Sequence, residues 1–166
     1  MNQYLRSHFY KELKVSMMKT GIRVPEIAIS YASDLLARDP FVLPDALFDV
    51  VSAAMAEPNR ALRLSMYKDV GDFGLLLSGV FRPYMAHKGL SVDYCTNIAV
   101  FGYRNAGGMS LDDTIYRSLE DNVGSLSNII NAAFWPLAAG ITFITLSISI
   151  TCQPGVQASK AALWVE

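Results

Sequence analysis

Cysteine, net charge and catalytic signatures are all scarce in this sequence, and each scarcity excludes a class of protein. Two cysteines, Cys95 and Cys152, cannot build a disulfide framework or a cysteine-rich metal cluster. The 14 lysines and arginines are balanced by 15 aspartates and glutamates, so the basic excess typical of nucleic-acid-binding proteins is missing. We therefore expect no metal site built on cysteine and no nucleic-acid partner.

The motifs that usually indicate catalysis are missing as well. The chain contains no glycine-rich phosphate loop, no HExxH, no CxxC pair and no GxSxG elbow. The two histidines, His8 and His87, stand far apart in the sequence, and each is interpreted as an ordinary surface or boundary residue. We expect no cofactor and favour a non-catalytic role, while leaving an enzyme as the alternative.

Apolar residues are abundant, and their spacing predicts an all-α fold. They make up 52% of the 166 residues, enough to form the core of one domain. Leu5, Phe9, Leu13 and Met17 recur at helical spacing, and similar stripes follow as far as Ile130. The sequence predicts a single-domain bundle of about six or seven short helices over residues 1–133.

Glycine, proline and capping residues predict the helix ends. Gly21 ends the first helix and Pro25 sits in the first turn of the second. The third is expected to open at Pro44 and Asp45, and Asn59 to cap the fourth.

Further boundaries are expected later in the chain. Gly71 is expected to break the fourth helix, with Asp72 as the N-cap of a short fifth one running to Ser78. Ser91 or Asp93 then caps a sixth helix, and residues 105–108 form a loop. A seventh helix is expected from near Leu111, with Asp112 and Asp113 in its first turn, followed by a separate segment from residue 134.

The carboxy-terminal segment, residues 134–166, differs from the rest of the chain. No charged residue occurs between Asp121 and Lys160. Residues 134–152 fit a helix, a strand or a short membrane span, and these readings stay open. The charged residues near the start of the chain do not resemble a signal peptide, so a cytoplasmic location is expected, with a tether to the inner membrane as the alternative.

The densest group of unusual residues runs from Tyr67 to Pro83, where three glycines lie beside polar side chains. One interpretation is close helix packing, with Asp72 and Ser78 as caps. The other is the floor of a small-ligand pocket, whose candidate binding residues are Arg63, Asp72, Ser78 and Arg82, with Asp93 and Tyr94 on the same wall. The first interpretation explains the glycines without any ligand, and we favour it.

The run VGDFGLLLSGVF from Val70 to Phe81, followed by Val92, Asp93 and Tyr94, resembles a family of bacterial helical proteins of unknown function. The family pattern reads roughly L-G-D-x-x-L-F-x-S-G-F-F-P, then V-D-Y-Y and G-x-x-A-Y. This chain departs from the pattern at four positions and matches its last element weakly; the four are Val70, Leu76, Val80 and Cys95. The resemblance covers about residues 1–131 and implies a helical fold and a bacterial origin, with no activity attached.

Three functional hypotheses follow. The first is a non-catalytic interaction or regulatory module that self-associates or binds a protein, because catalytic signatures are missing and the uncharged carboxy-terminal segment, if exposed, would form a large apolar patch that favours binding a partner. The second is a small-ligand binder or enzyme with a pocket near Asp72, Ser78 and Arg82. The third is a cytoplasmic domain tethered to a membrane through residues 134–152.

Overall fold

The computed structural model describes residues 3–38 and 47–135, and every regular element in these two ranges is an α-helix. The helices pack as one bundle, which confirms the predicted fold class. Seven helices occur in the described ranges: α1 (Gln3–Thr20), α2 (Glu26–Leu36), α3 (Leu47–Ala56), α4 (Arg60–Gly79), α5 (Arg82–His87), α6 (Val92–Met109) and α7 (Thr114–Phe134).

Several helix ends lie where the capping residues place them. Gly21 adopts a φ of +69° directly after α1, a left-handed conformation that glycine adopts without strain. Pro25 is the N-cap of α2 and so lies one residue before the first turn, in which it was expected. The Asn59 side chain accepts hydrogen bonds from the backbone N–H groups of Ala61 and Leu62, as an N-cap should.

The predicted break at Gly71 is wrong. Helix α4 runs without interruption from Arg60 to Gly79, so Asp72 lies in the middle of a helix and is not an N-cap. A glycine inside a helix costs about 1 kcal/mol in helix propensity, and no contact visible in the local sequence offsets that cost. The compensation comes from tertiary packing, because the glycines let two helices approach closely.

Two other boundaries also need correction. Residues 105–108 form no loop, because α6 continues to Met109. Helix α7 begins at Thr114, so Asp112 and Asp113 precede its first turn, and an Asp112 carboxylate oxygen accepts the Thr114 N–H. The predicted fourth and fifth helices are the single helix α4, and Arg82–His87 forms a short helix that was not foreseen. Ser91, and not Asp93, caps α6 by accepting the Tyr94 N–H.

Among the described residues, helices α4 and α6 pack more extensively than any other pair, and glycines at their crossing allow the close approach. A Cβ atom added to Gly74 would lie 2.7 Å from the backbone of both Cys95 and Ala99, and one added to Gly71 would lie 2.5 Å from the Tyr103 ring. From the other side, a Cβ on Gly102 would lie 2.7 Å from the Tyr67 carbonyl oxygen. These separations confirm the close-packing interpretation of the glycines in α4.

The main core lies between α1, α2, α4, α6 and α7, and its fully buried side chains include Leu13, Ile29, Leu75 and Ile130. Helix α3 packs outside this core, against α4. The predicted start of the third helix at Pro44 and Asp45 falls outside the described residues, and so does nearly all of the segment 134–166. In residues 3–38 and 47–135, no helix is both long and apolar enough to cross a membrane.

Candidate functional site

Asp72 is the most deeply buried charged side chain among the described residues, with a relative exposure of 3%. Its Oδ1 atom accepts hydrogen bonds from the phenol groups of Tyr31, at 2.5 Å, and Tyr103, at 3.1 Å. Its Oδ2 atom accepts from the Arg38 guanidinium at 3.0 Å and from the Lys68 ammonium at 2.7 Å. We call these five residues the Asp72 cluster.

The cluster joins three helices of the bundle. Tyr31 lies in α2 and Arg38 just beyond its end, Lys68 and Asp72 are one turn apart in α4, and Tyr103 comes from α6. The Tyr31 and Tyr103 rings meet edge to face, with centroids 6.1 Å apart. Because Tyr31 and Arg38 reach Asp72 from α2 and its end, and Tyr103 reaches it from α6, the cluster helps to fix how α2 and α6 are placed against α4.

Burial keeps both phenols protonated. Burial, the Asp72 charge and the hydrogen bond to it raise the pKa of Tyr31 far above its ordinary value. Burial and the same carboxylate also raise the pKa of Tyr103. Both side chains therefore act as hydrogen-bond donors over the whole physiological pH range, and neither can serve as a general base.

The Asp72 carboxylate has no capacity left for a substrate. A carboxylate offers about four acceptor positions, and four protein donors occupy them. Two cations balance its charge, as a buried carboxylate requires. The arrangement is suited to holding helices together, and it offers no free acid, base or nucleophile.

Ser78 and Arg82 form a second group of contacts, distinct from the Asp72 cluster. The Ser78 hydroxyl is buried and donates to the Leu75 carbonyl in its own helix. Arg82 donates from Nε to the Ser78 carbonyl oxygen and from Nη2 to Ser127 and Asn128 of α7. Arg82 thus ties the end of α4 to α7.

The six predicted site residues do not converge on one pocket. Arg63 lies nine residues before Asp72 in α4, about 13 Å along the helix axis. Asp93 and Tyr94 occupy the exposed first turn of α6, and none of the four donors to Asp72 comes from that turn. Ser78 and Arg82 are joined by a hydrogen bond.

Sequence reasoning missed four of the five members of the Asp72 cluster. The spacing of Lys68 and Asp72, four residues apart in a helix, is a signal that could have paired them. Tyr31, Arg38 and Tyr103 lie 31 or more residues from Asp72, and no local pattern connects them.

The remaining polar and sulfur groups give no further reactive site within the described residues. Burial raises the pKa of the Cys95 thiol to about 11, and its sulfur contacts that of Met85. No group of three or more histidine, cysteine, aspartate or glutamate side chains there could hold a metal ion. Two shallow surface depressions, of about 310 and 230 Å³, lie near Gly21 and beside Gly107, away from Asp72, Ser78 and Arg82.

The outer surface of α3 is apolar and exposed. The helix rests on the bundle through Leu47 and Ala54, which are buried. On its outside, Phe48 is 70% exposed and Met55 62% exposed. Asp49 is the only charged residue in α3. A helix that is apolar on nearly all sides is usually covered on all sides, so this outer face is unusual for a surface helix.

No protein-family model, curated protein or solved structure matches this chain.

Proposed function

We propose that this protein is a non-catalytic interaction module that associates with itself through the outer face of α3. The observation that carries the proposal is the exposure of Phe48 and Met55 on a ten-residue helix with a single charge. Burying such a side chain is worth about 1.5–3 kcal/mol, so covering this face would supply a useful driving force for association.

The Asp72 cluster supports a non-catalytic role. A catalytic carboxylate or phenol needs an open hydrogen-bonding position toward a substrate. All four acceptor positions of Asp72 are filled by protein donors, and both phenols are directed at it. Ser78 and Arg82 are likewise engaged with α4 and α7. These contacts favour the interaction module over the small-ligand binder or enzyme.

Light scattering coupled to size-exclusion chromatography tests the proposal. The full chain has a mass of 18.2 kDa, and its weight-average mass should rise above this value as the loading concentration increases. A mass that stays at the monomer value across the whole concentration range would refute self-association.

The proposal also covers where the module acts and what it is related to. It would act in the cytoplasm of a bacterium. It would belong to the helical family that residues 70–94 resemble. The membrane tether through residues 134–152 falls almost wholly outside the described residues, and detergent-free fractionation of the full chain would test it.

A further inference from the structure

The connection between α1 and α2 forms an exposed corner of the bundle. Within residues 18–27, Val24 is buried and Ile22 is partly buried, and the other eight residues are exposed. Met18, in the last turn of α1, is 73% exposed, and Ile27, in the first turn of α2, is 40% exposed. We call residues 18–27 the α1–α2 corner.

Positive charge is concentrated on α1 and this corner. Residues 1–25 contain five lysines and arginines and a single acid, Glu12. The rest of the chain contains nine lysines and arginines and 14 acids. The nearly neutral molecule is therefore polarised, and on balance an anionic surface is attracted to α1 and the corner and repelled by the remainder.

The two cations of the corner, Lys19 and Arg23, are not neutralised in the part of the chain that the structure describes. Neither of them forms an ion pair there. Glu26, the one acid of the corner, is bound instead by the Lys14 ammonium at 2.7 Å. An anion that approaches the corner therefore meets two uncompensated positive charges.

Apolar side chains alternate with these cations, and this selects a lipid surface among the possible anions. Met18 precedes Lys19 and Ile22 precedes Arg23. A shallow depression of about 310 Å³ lies among them, lined by Met17, Met18, Gly21, Ile22 and Arg23. Phosphate groups alone gain nothing from Met18, whereas the boundary between lipid headgroups and acyl chains takes up cations and apolar side chains together.

We propose that the α1–α2 corner binds the surface of an anionic phospholipid bilayer, with Lys19 and Arg23 among the phosphate groups and Met18 at the acyl boundary. Each lysine or arginine near such a surface raises the partition coefficient about fivefold, so the contact is reversible and sensitive to salt. It uses none of the α3 residues on which the proposed self-association rests, so each proposal can fail without the other.

Co-sedimentation of the full chain with lipid vesicles tests the proposal. Vesicles of phosphatidylglycerol mixed with phosphatidylcholine should bind the chain roughly tenfold or more tightly than vesicles of phosphatidylcholine alone. Raising the salt concentration from about 0.1 M to about 0.5 M should release most of the bound chain. Equal binding to both kinds of vesicle would overturn the proposal and point to the apolar residues 134–152.

A charge reversal within the corner locates the contact. Lys19→Glu should lower the partition coefficient on the anionic vesicles about tenfold or more. Lys88→Glu is the matched control, because Lys88 is an exposed lysine directly after α5 and its reversal changes the net charge equally. The control should change binding by less than about threefold. Equal losses in the two variants would mean that net charge, and not the corner, controls binding.

Met18→Ser distinguishes a bilayer from other polyanions. It should weaken vesicle binding about three- to tenfold at unchanged net charge, because an apolar contact with the acyl boundary is lost. Its circular dichroism spectrum should match that of the wild-type chain, since Met18 is on the surface. If Lys19→Glu weakens binding and Met18→Ser does not, the site is purely ionic, as for a nucleic acid or an acidic protein, and the bilayer is the wrong occupant.

Discussion

At the scale of single residues, Asp72 is central to the stability of the bundle, because four side chains donate hydrogen bonds to it. Asp72→Asn removes the negative charge that Arg38 and Lys68 neutralise and places an amide donor among groups that all donate. We expect a loss of about 2–4 kcal/mol in the free energy of unfolding, with the partial exposure of Arg38 moderating it. Urea denaturation measures this loss.

Asp93→Asn is the control for Asp72→Asn, because Asp93 is exposed in the first turn of α6. It should change stability by no more than about 0.5 kcal/mol. A loss below about 1 kcal/mol for Asp72→Asn would mean that the cluster does not hold the bundle together.

The buried phenols predict an alkaline limit to stability. Above about pH 10 the tyrosines of the unfolded chain lose their protons, while the raised pKa values keep Tyr31 and Tyr103 protonated in the folded chain. Their contribution is therefore complete below about pH 10 and is lost as the pH rises further, by about 1.4 kcal/mol per pH unit for each phenol.

Tyr103→Phe should remove one of the two buried phenol contributions to this slope, and denaturation at several alkaline pH values measures the change. Tyr84→Phe, at an exposed phenol of α5, is the control and should keep the wild-type slope. An unchanged slope in Tyr103→Phe would contradict the assignment of Tyr103 as a protonated donor to Asp72.

At the scale of helices, the crossing of α4 and α6 depends on glycine. A Cβ added to Gly102 would meet the Tyr67 carbonyl oxygen at 2.7 Å and the Gly71 Cα at 2.8 Å, and both are backbone atoms that cannot turn aside. Gly102→Ala should therefore destabilise the protein by roughly 1–3 kcal/mol, although alanine is the better helix former. Thermal or urea denaturation reports the change.

Gly124 provides the opposite case within α7. Nothing lies within 4 Å of the Cβ that alanine would add there. Gly124→Ala should stabilise the protein by roughly 0.5–1 kcal/mol through helix propensity alone. If both substitutions shifted stability in the same direction, close packing at Gly102 would not be the reason for its glycine.

The same contrast explains what the sequence could and could not predict about the helices. The caps at Asn59 and Ser91 and the turn at Gly21 are local, because the interacting groups lie within a few residues of each other. The break at Gly71 was predicted because its compensation, contact with Tyr103 and Gly102, comes from a helix 30 residues away. Helix propensity alone cannot distinguish a glycine that ends a helix from one that a neighbouring helix requires.

The candidate site shows the same limit. The sequence indicates Asp72 because it lies among glycines, but the prediction that it caps a helix is wrong. Of its four donors, only Lys68 is close in sequence, so the cluster becomes visible once α2, α4 and α6 are assembled. The outer face of α3 differs from the Asp72 cluster, because its residues lie within one helix, but its exposure depends on how α3 packs on α4.

At the scale of the whole molecule, two parts of the bundle differ in their contacts. The polar groups around Asp72 and Arg82 join helices to one another, while Phe48 and Met55 of α3 are exposed, and the proposed function assigns association to them. An internal polar network that is fully paired makes the bundle rigid, and a rigid surface loses little conformational entropy on binding. We therefore expect association without rearrangement of the Asp72 cluster.

A dilution series of ¹H–¹⁵N correlation spectra of the full chain tests this account most directly. Between about 20 µM and 1 mM, concentration-dependent shifts should be confined to α3 and the start of α4, with the amides of Tyr31, Asp72 and Tyr103 unmoved. Spectra that do not change with concentration, or changes centred on Asp72, would contradict the account.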